Sequence, residues 1–257
     1  MTQPQVRRQV EAERKFALAP GQDLPDLSSI ATPGRVAEFE LRATYYDAAD
    51  FRLTHAWQVI RHRVGGNDAG WHLKLPGPTP EQRLEHHLPG DSARVPAQFR
   101  KLVERTLAGA ALYPVAVLRT HRREQELLGP DGAVLALTCT DDVTAEVGTT
   151  TKRWREAEIE LVGGTPTSFL DAVTEALSEV GIQPAAGAAK IGHALSGAMA
   201  GAGPVQRIVG LHLLVVDDNE VNRDLIRMVL EKDHRVTAAA HGLEALRALA
   251  AGGPFDA

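Results

Sequence analysis

Cysteine is nearly absent from this sequence, and its scarcity limits the chemistry open to the protein. Cys139 is the only cysteine among 257 residues. An intrachain disulfide is therefore excluded, and the count argues against a zinc site built from cysteine thiolates. A single thiol is typical of proteins that stay in a reducing compartment. We therefore expect a cytoplasmic protein.

Long hydrophobic runs and a strong charge of one sign are also missing. No window approaches the length of a membrane span, about 18 uncharged apolar residues, and the N-terminal residues lack the apolar core of a signal peptide. The formal net charge is -5, which gives no overall attraction to nucleic acid or to an acidic membrane surface. We expect neither as a partner, so any anion-binding site must come from local clusters.

The sequence pattern predicts a large β-rich domain, a linker and a smaller segment of alternating strands and helices. From Gln9 to Gly163, short strand-like runs alternate with turns rich in glycine, proline and aspartate. Helical spacing of apolar residues occurs in three segments: 96–107, 167–180 and 188–199. We assign residues 1–200 to the first domain, 201–210 to a flexible linker and 211–257 to a βαβα segment with a parallel sheet.

Acidic residues recur at every second position in two of the predicted strands. In VEAERKF, the two-residue period of a strand places Glu11, Glu13 and Lys15 on one face. The same period gives WREAEIEL a row of three carboxylates: Glu156, Glu158 and Glu160. Carboxylates this close repel one another, and a shared cation offsets the repulsion. Oxygen ligands favour magnesium, manganese or calcium over zinc, so these strands predict a divalent-metal site.

Basic residues follow the same alternation in three strands that lie between the acidic ones. The same-face basic sets are Arg61 with Arg63, His72 with Lys74, and Arg119 with His121 and Arg123. Guanidinium forks and lysine ammonium groups bind phosphate oxygens, so these sets suit a phosphate chain. Each strand taken alone could instead be an antiparallel strand with one wet face. Periodicity does not decide which face is inside.

In their order along the chain, these motifs resemble those of the CYTH domain, the triphosphate tunnel fold shared by class IV adenylyl cyclases, thiamine triphosphatases and inorganic triphosphatases. The resemblance begins with the signature ExExK at Glu11, Glu13 and Lys15. It continues through YYDAAD at 45–50, IRHR at 60–63, WHLKLPG at 71–77, RLE at 83–85, LRTHRR at 118–123, WREAEIEL at 154–161 and AAK ending at Lys190. It implies an α+β fold: an eight-stranded antiparallel tunnel with charged residues inside and helices packed outside.

The resemblance also implies roles for individual residues. The phosphates would be held by Lys15, Arg61, Arg63, Lys74, Arg119, Arg123 and Lys190. Magnesium or manganese would be held by carboxylates drawn from Glu11, Glu13, Asp141, Glu156, Glu158 and Glu160. Among these residues, Glu11, Glu13 and Lys15 would form the catalytic signature. Glu85 and Glu156 would orient basic neighbours, or reach the metal themselves.

A tunnel of this kind implies metal-dependent hydrolysis of a triphosphate. The wall of arginine and lysine would position the substrate, and the metal would neutralise charge that develops on the transferred phosphoryl group. Inorganic tripolyphosphate, a related triphosphate or inorganic polyphosphate is the expected ligand. Two alternatives stay open: a class IV-type adenylyl cyclase, and a module that binds polyphosphate or nucleotide without turnover.

The C-terminal segment resembles the first half of a response-regulator receiver domain. Asp217 and Asp218, in VVDDNEVNR, would form the acidic pair of such a domain, or would simply cap the following helix. The strand that carries the phosphoacceptor aspartate has no counterpart before residue 257, so we expect a truncated receiver that accepts no phosphate. A protein partner that completes the half-domain is expected, because two strands and two helices bury little apolar surface.

Overall fold

Alternation of polar and apolar residues produces eight strands in the first part of the computed structural model, which describes residues 6–79, 82–92, 94–185, 189–201, 210–231, 234–251 and 255–256. The contacts between residues separate two units, Met1–Gly201 and Ala202–Ala257. Residues 202–209 of the predicted linker lie outside the described residues. None of the described helices has the length and apolar character needed to cross a membrane.

The first unit contains eight strands and five helices among its described residues. In chain order these are β1 (Arg7–Leu18), β2 (Thr32–Asp47), α1 (Arg52–His55), β3 (Val59–Val64), β4 (Gly70–Pro76), β5 (Gln82–Leu88), α2 (Ala97–Leu102), α3 (Glu104–Leu107), β6 (Tyr113–Leu128), β7 (Val134–Val147), β8 (Thr150–Leu161), α4 (Ser168–Glu179) and α5 (Lys190–Gly201).

These strands close into an antiparallel barrel in the order β1-β5-β4-β3-β2-β6-β7-β8. Closure comes from β1, which pairs with β5 through its first half and with β8 through its second half. The predicted eight-stranded antiparallel tunnel with flanking helices is therefore confirmed. Closure leaves the barrel no free edge along which another strand could add.

The hairpin between β6 and β7 shows how local sequence sets the strand register. Gly132 adopts φ +80°, a left-handed conformation that glycine tolerates at little cost. The amide of Ala133 donates to the Asp131 carboxylate at 3.0 Å. The Gly129 amide donates to the carbonyl of Ala133 at 2.8 Å and closes the turn. The long pairing of β6 with β7 starts from this turn.

Two hydrophobic clusters cover the outside of the barrel. In the first, Leu170, Val173 and Leu177 line one side of α4. They pack on residues from the outer faces of β1, β7 and β8: Phe16, Leu18, Ala136, Ala157 and Ile159. In the second, residues of α1, α2 and α3 pack on the outer faces of β3 and β4: Leu53, Phe99, Val103 and Leu107 against Ile60, Trp71 and Leu73. Helices thus cover the apolar outer faces.

Helix α5 packs against the inner surface of the barrel. Ile191, Ala194 and Leu195 contact a cluster from β2, β6 and β7: Ala43, Tyr45, Ala116, Leu118, Val143 and Ala145. These strand residues alternate in step with Leu41, Arg122 and Leu137, which line the internal cavity. Ile191 lines the same cavity. The helix therefore lies at the inner side of one end of the tunnel and gives that end an apolar lining.

The second unit has two parallel strands and two helices among its described residues: β9 (His212–Val216), α6 (Glu220–Leu230), β10 (Arg235–Ala239) and α7 (Gly242–Ala251). The order and the parallel pairing agree with the βαβα pattern. The Asp217 carboxylate accepts the amide of Asn219, two residues further on, at 2.8 Å just before α6, which is the hydrogen bond of an Asx turn. Asp218 is exposed. The assignment of this unit to a receiver domain stays a prediction.

Candidate active site

The barrel encloses a cavity of about 350 Å³ to which all eight strands contribute side chains. Glu11, Glu13 and Lys15 all line this cavity, so their face of β1 points inward. The other predicted residues on its wall are Arg61, Arg63, Lys74, Glu158, Glu160 and Lys190. The charged faces of β1, β3, β4 and β8 are thus the inner faces, and the wet-face alternative is wrong for these strands.

Strand β6 is an exception, and the structure corrects its predicted side. Arg119 has 56% of its side chain exposed and pairs with Glu146 on the outer surface. Arg123 is exposed as well. Arg122 lies between His121 and Arg123 in the sequence, so it points to the opposite face of the strand and lines the cavity. The prediction that Arg119 and Arg123 face the tunnel is therefore wrong, because Ala116 and Leu118 turn the opposite face of β6 toward α5.

One group of carboxylates gathers around the lysine of α5. Asp141, Glu156 and Glu158 are close enough that one ligand oxygen from each lies within 4.8 Å of the others. The ammonium of Lys190 lies 2.9 Å from Asp141 Oδ2, 2.5 Å from Glu156 Oε1 and 2.6 Å from Glu158 Oε1. The ammonium of Lys190 therefore occupies the position that a metal ion would take among these three buried carboxylates.

Two further cations compensate the same group. Arg122 binds both carboxylate oxygens of Asp141, through Nε at 2.8 Å and Nη2 at 2.7 Å, and also donates to Glu158 at 2.6 Å. Lys15 contacts Glu158 as well. Burial raises the pKa of Glu158, but Lys15, Lys190 and Arg122 outweigh burial and hold that pKa well below its usual range. Glu158 is thus an ionised carboxylate that three cations share.

A second group of carboxylates, Glu11, Glu13 and Glu160, has less compensation. Glu13 and Glu160 are cross-strand neighbours on β1 and β8, and Lys74 contacts Glu11. Glu160 has no ion-pair partner within 4.0 Å among the residues that the structure describes. Burial and the negative charges of Glu11, Glu13 and Glu158 raise the pKa of Glu160 to about 7, although Lys74 opposes them. This end of the acidic wall therefore has an excess of negative charge.

Glu85 links the acidic residues to the basic wall. It lies 2.9 Å from His72 Nδ1 and accepts a hydrogen bond from Gln9 at 3.2 Å. Burial raises the pKa of Glu85, but Lys74 and the neighbouring arginines outweigh burial and lower it to about 2. Burial and the charges of Arg61 and Arg63 lower the pKa of His72. Glu85 thus contacts His72 and lies 4.0 Å from the ammonium of Lys74, and its role in orienting basic neighbours stays a prediction.

The basic wall is crowded with guanidinium groups. The Nε atoms of Arg61 and Arg63 are buried and have no hydrogen-bond partner among the described residues. Burial and the positive charges of Arg61 and Arg122 lower the pKa of Arg63 to about 9. Buried donors without partners are costly, and like charges this close repel. These arginines are therefore suited to bind an anion.

Three residues of the site had not been identified from the sequence. Arg122 was given no role from the sequence, although its place on the same strand face as the apolar Leu118 was a usable signal. Gln9 donates to Glu11 at 3.1 Å as well as to Glu85, and a neutral side chain at the edge of a charged strand gives no signal. Asp68 contacts Arg63 from the turn between β3 and β4, where no periodicity exists to read.

A closed antiparallel barrel with facing basic and acidic walls defines a class of tunnel proteins that can hold an anion and a cation together. The family model described as the CYTH domain matches residues 9–191, and the chain belongs to the CYTH domain family. That family includes triphosphatases and cyclases. Two uncharacterized proteins of Mycobacterium tuberculosis, Rv2226 and MT2285, are each 33% identical to the chain, with 86% of it and 49% of the relative aligned. The chain thus spans about half the length of these relatives.

Solved structures with a similar course of the chain have low sequence identity. The PH1819 protein of Pyrococcus horikoshii is 14% identical, with a TM-score of 0.44 and with 73% of this chain and 99% of that one aligned. HpAC1 of Hippeastrum, described as having a dominant triphosphatase activity, is 16% identical, with a TM-score of 0.37 and coverages of 73% and 95%. Likenesses of this strength assign no activity to the present chain.

Proposed function

We propose that the first unit hydrolyses a triphosphate, inorganic tripolyphosphate or a related compound, with the help of magnesium or manganese. The observation that carries the proposal is the division of one enclosed cavity into a basic wall and an acidic wall. Arg61, Arg63 and Lys74 line it from β3 and β4. Glu11, Glu13 and Glu160 line it from β1 and β8, and Glu11 contacts Lys74 where the two sets meet. A polyphosphate chain with a bound divalent cation has the matching distribution of charge.

The basic wall supports binding of the phosphates. A triphosphate carries roughly four negative charges near neutral pH, so several fixed cations are needed to hold it away from water. The buried Nε donors of Arg61 and Arg63 have no hydrogen-bond partner among the described residues. Lys74 stays protonated because Glu13 and Glu11 outweigh its burial and raise its pKa. Arg122 replaces the predicted Arg119 and Arg123 in this role. Lys15 and Lys190 lie among the carboxylates of the acidic residues, where both contact Glu158.

The acidic wall fits a hard divalent cation. Its donors are carboxylate oxygens, the ligands that magnesium and manganese prefer. The raised pKa of Glu160 reflects unbalanced negative charge beside Glu11 and Glu13, so these three residues are the first candidates to hold the ion. Asp141, Glu156 and Glu158 would join them only if Lys190 withdrew. When bound, the ion would supply positive charge to the phosphoryl group as it is transferred.

In the reaction, the residues of the chain orient the substrate and confine it. Arg61, Arg63 and Arg122 would hold the non-bridging oxygens, which leaves a terminal phosphorus open to water along the tunnel. Attack by water breaks one bridging P–O bond and yields phosphate and pyrophosphate, with a proton released to solvent. The ionised Glu85 would offset part of the positive charge of Arg61 and Arg63.

One panel of substrates tests the proposal against its alternatives. The purified protein would be incubated with tripolyphosphate, thiamine triphosphate or ATP in the presence of magnesium or manganese, and both phosphate and cyclic AMP would be measured. We expect release of phosphate without cyclic AMP. Cyclic AMP formed from ATP would establish the cyclase instead, and tight binding without either product would establish a binding module.

A further inference from the structure

A short turn between β3 and β4 places a carboxylate of the chain itself on the basic wall. Gly66, Asn67 and Asp68 line the same cavity as Arg61 and Arg63. The Asp68 carboxylate contacts the guanidinium of Arg63. The side chain of Arg63 is 8% exposed and that of Asp68 is 44% exposed. The ion pair therefore joins a buried cation to an anion that still reaches solvent.

The turn is held on its path by the backbone. Gly65 has φ +88°, and a Cβ atom there would meet the carbonyl oxygen of Glu40 at 2.2 Å, so only glycine fits. A Cβ atom on Gly66 would meet the side chain of Leu41 at 2.9 Å. The Asp68 carbonyl oxygen lies 2.8 Å from Nε2 of His72. The position of Asp68 beside the wall is thus built into the turn and does not depend on the ion pair alone.

The positive charges around Arg63 favour an anion beside its guanidinium group. Arg61 and Arg122 both repel its charge, and its Nε donor has no partner among the described residues. Glu85 is a carboxylate whose charge raises the pKa of Arg63, but it is already in contact with His72 and Gln9. Asp68 supplies the direct counter-charge from the solvent side of the wall.

We infer that Asp68 is a competing anion, which occupies Arg63 in the ligand-free protein and must yield it to a phosphate of the substrate. This inference rests on the proposed function. Its consequence is a threshold: an anion of low charge gains too little to displace Asp68, whereas a polyphosphate that contacts several cations at once does displace it. Asp68 would therefore set both the affinity of the site and its preference for chains of phosphate.

Calorimetry in the absence of divalent ions tests the inference without turnover. Tripolyphosphate would be titrated into the wild-type protein, the Asp68→Asn variant and a control, Asp142→Asn. Asp142 is 57% exposed and pairs with Arg155 on the outer wall, so the control removes the same charge away from the cavity. We expect Asp68→Asn to bind tripolyphosphate about 10-fold more tightly and the control to bind as the wild type does. A thermal melt of each variant checks the fold.

Steady-state kinetics provide a second test. Substitution of a residue that only shapes the turn would not lower KM selectively. We expect Asp68→Asn to lower KM and leave kcat within about twofold. Unchanged or weaker binding by Asp68→Asn, while the wild type binds, would show that Asp68 orients Arg63 and does not compete for it. Absence of binding by both proteins under these conditions would overturn this inference, whereas the proposed function is judged by phosphate release in the presence of magnesium or manganese.

Discussion

The carboxyl group of Glu160 gives the acidic wall a measurable dependence on pH. Its pKa is raised from 4.5 to about 7 by burial, and by Glu11, Glu13 and Glu158. Between those values Glu160 holds a proton in the folded protein that it has lost in the unfolded chain, so its contribution to stability is fully present below pH 4.5 and is lost as the pH rises through about 7. A bound divalent cation would reverse the repulsion and favour the ionised form.

The first prediction follows from this sign. In the absence of divalent ions, we expect the wild-type protein to lose more stability between pH 5 and pH 8, about the range of the Glu160 titration, than the Glu160→Gln variant loses. Thermal midpoints at the two pH values measure the difference. Glu40→Gln is the control, since Glu40 is 82% exposed on the outer wall. Equal losses in wild type and Glu160→Gln would contradict the placement of Glu160 among like charges.

The second prediction compares two adjacent arginines on β6. Arg122 binds Asp141 and Glu158 inside the barrel, whereas Arg123 is exposed outside. We expect Arg122→Gln to lower kcat/KM for tripolyphosphate by roughly 10- to 100-fold, because charge-assisted contacts are lost. The variant should also be less stable, because Asp141 is fully buried. Arg123→Gln should change neither quantity, and a larger effect of Arg123→Gln would reverse the side assigned to this strand.

At the scale of elements, α5 contributes both apolar packing and a positive charge to the inner surface of the barrel. Its buried residues Ile191, Ala194 and Leu195 pack on inward-facing side chains, while its first residue, Lys190, binds the acidic group. The same helix thus closes an apolar end of the tunnel and delivers a cation to its centre. Removal of its packing should affect both the fold and the site.

The third prediction concerns this packing. We expect Leu195→Ala to cost about 2–5 kcal/mol in the free energy of unfolding, since it leaves a cavity in a fully buried cluster. Ser196→Ala, at an exposed position of the same helix, should cost less than about 0.5 kcal/mol. Urea unfolding of the two variants makes the comparison. A similar small change in both would mean that α5 does not pack inside the barrel.

The packing of α5 also explains why the inward face was predicted correctly for β1, β3, β4 and β8 and wrongly for β6. On β1 and β8 the inner face carries a charged residue at three successive inward positions, so the charged residues marked the inside. On β6 the inner face is apolar at Ala116 and Leu118 and basic only at Arg122, because α5 lies against its first half. The larger number of exposed charges on the other face, Arg119, His121 and Arg123, then resembled an inner wall. The residue pattern of a strand does not show that a helix from elsewhere in the chain packs against its inner face.

The turn between β3 and β4 shows a different limit. Its glycines can be recognised from sequence as a bend, but the contact of Asp68 with Arg63 depends on the path of the turn over Glu40 and Leu41. Such a path follows from barrel curvature and not from local residue preferences. Ion pairs that begin in turns are therefore visible only once the barrel is closed.

At the scale of the whole molecule, the tunnel unit has the elements needed for the proposed reaction. Its closed barrel, three hydrophobic clusters and both charged walls are formed by residues of the first unit. The barrel and its family were predictable because the charged motifs are local and follow one another along the chain. The receiver assignment of the second unit rests on sequence resemblance and remains a prediction.

The fourth prediction addresses this division. We expect a protein that consists of residues 1–201 to hydrolyse tripolyphosphate with the same kcat and KM as the whole chain, within about twofold, since the cavity is lined by residues of that unit alone. Parallel assays of the two proteins, each checked for a cooperative thermal transition, make the comparison. Loss of activity in a folded 1–201 protein would show that the second unit contributes to catalysis.

The most direct measurement is the release of phosphate from tripolyphosphate by the wild-type protein and by Glu13→Gln, each with magnesium or manganese and each with excess chelator. A metal-dependent triphosphatase should release phosphate only in the wild type with metal, and Glu13→Gln should lower the rate at least about 100-fold while the protein stays folded. Phosphate release by wild type that persists in chelator, or full activity of Glu13→Gln, would contradict hydrolysis by a divalent cation held on the acidic wall.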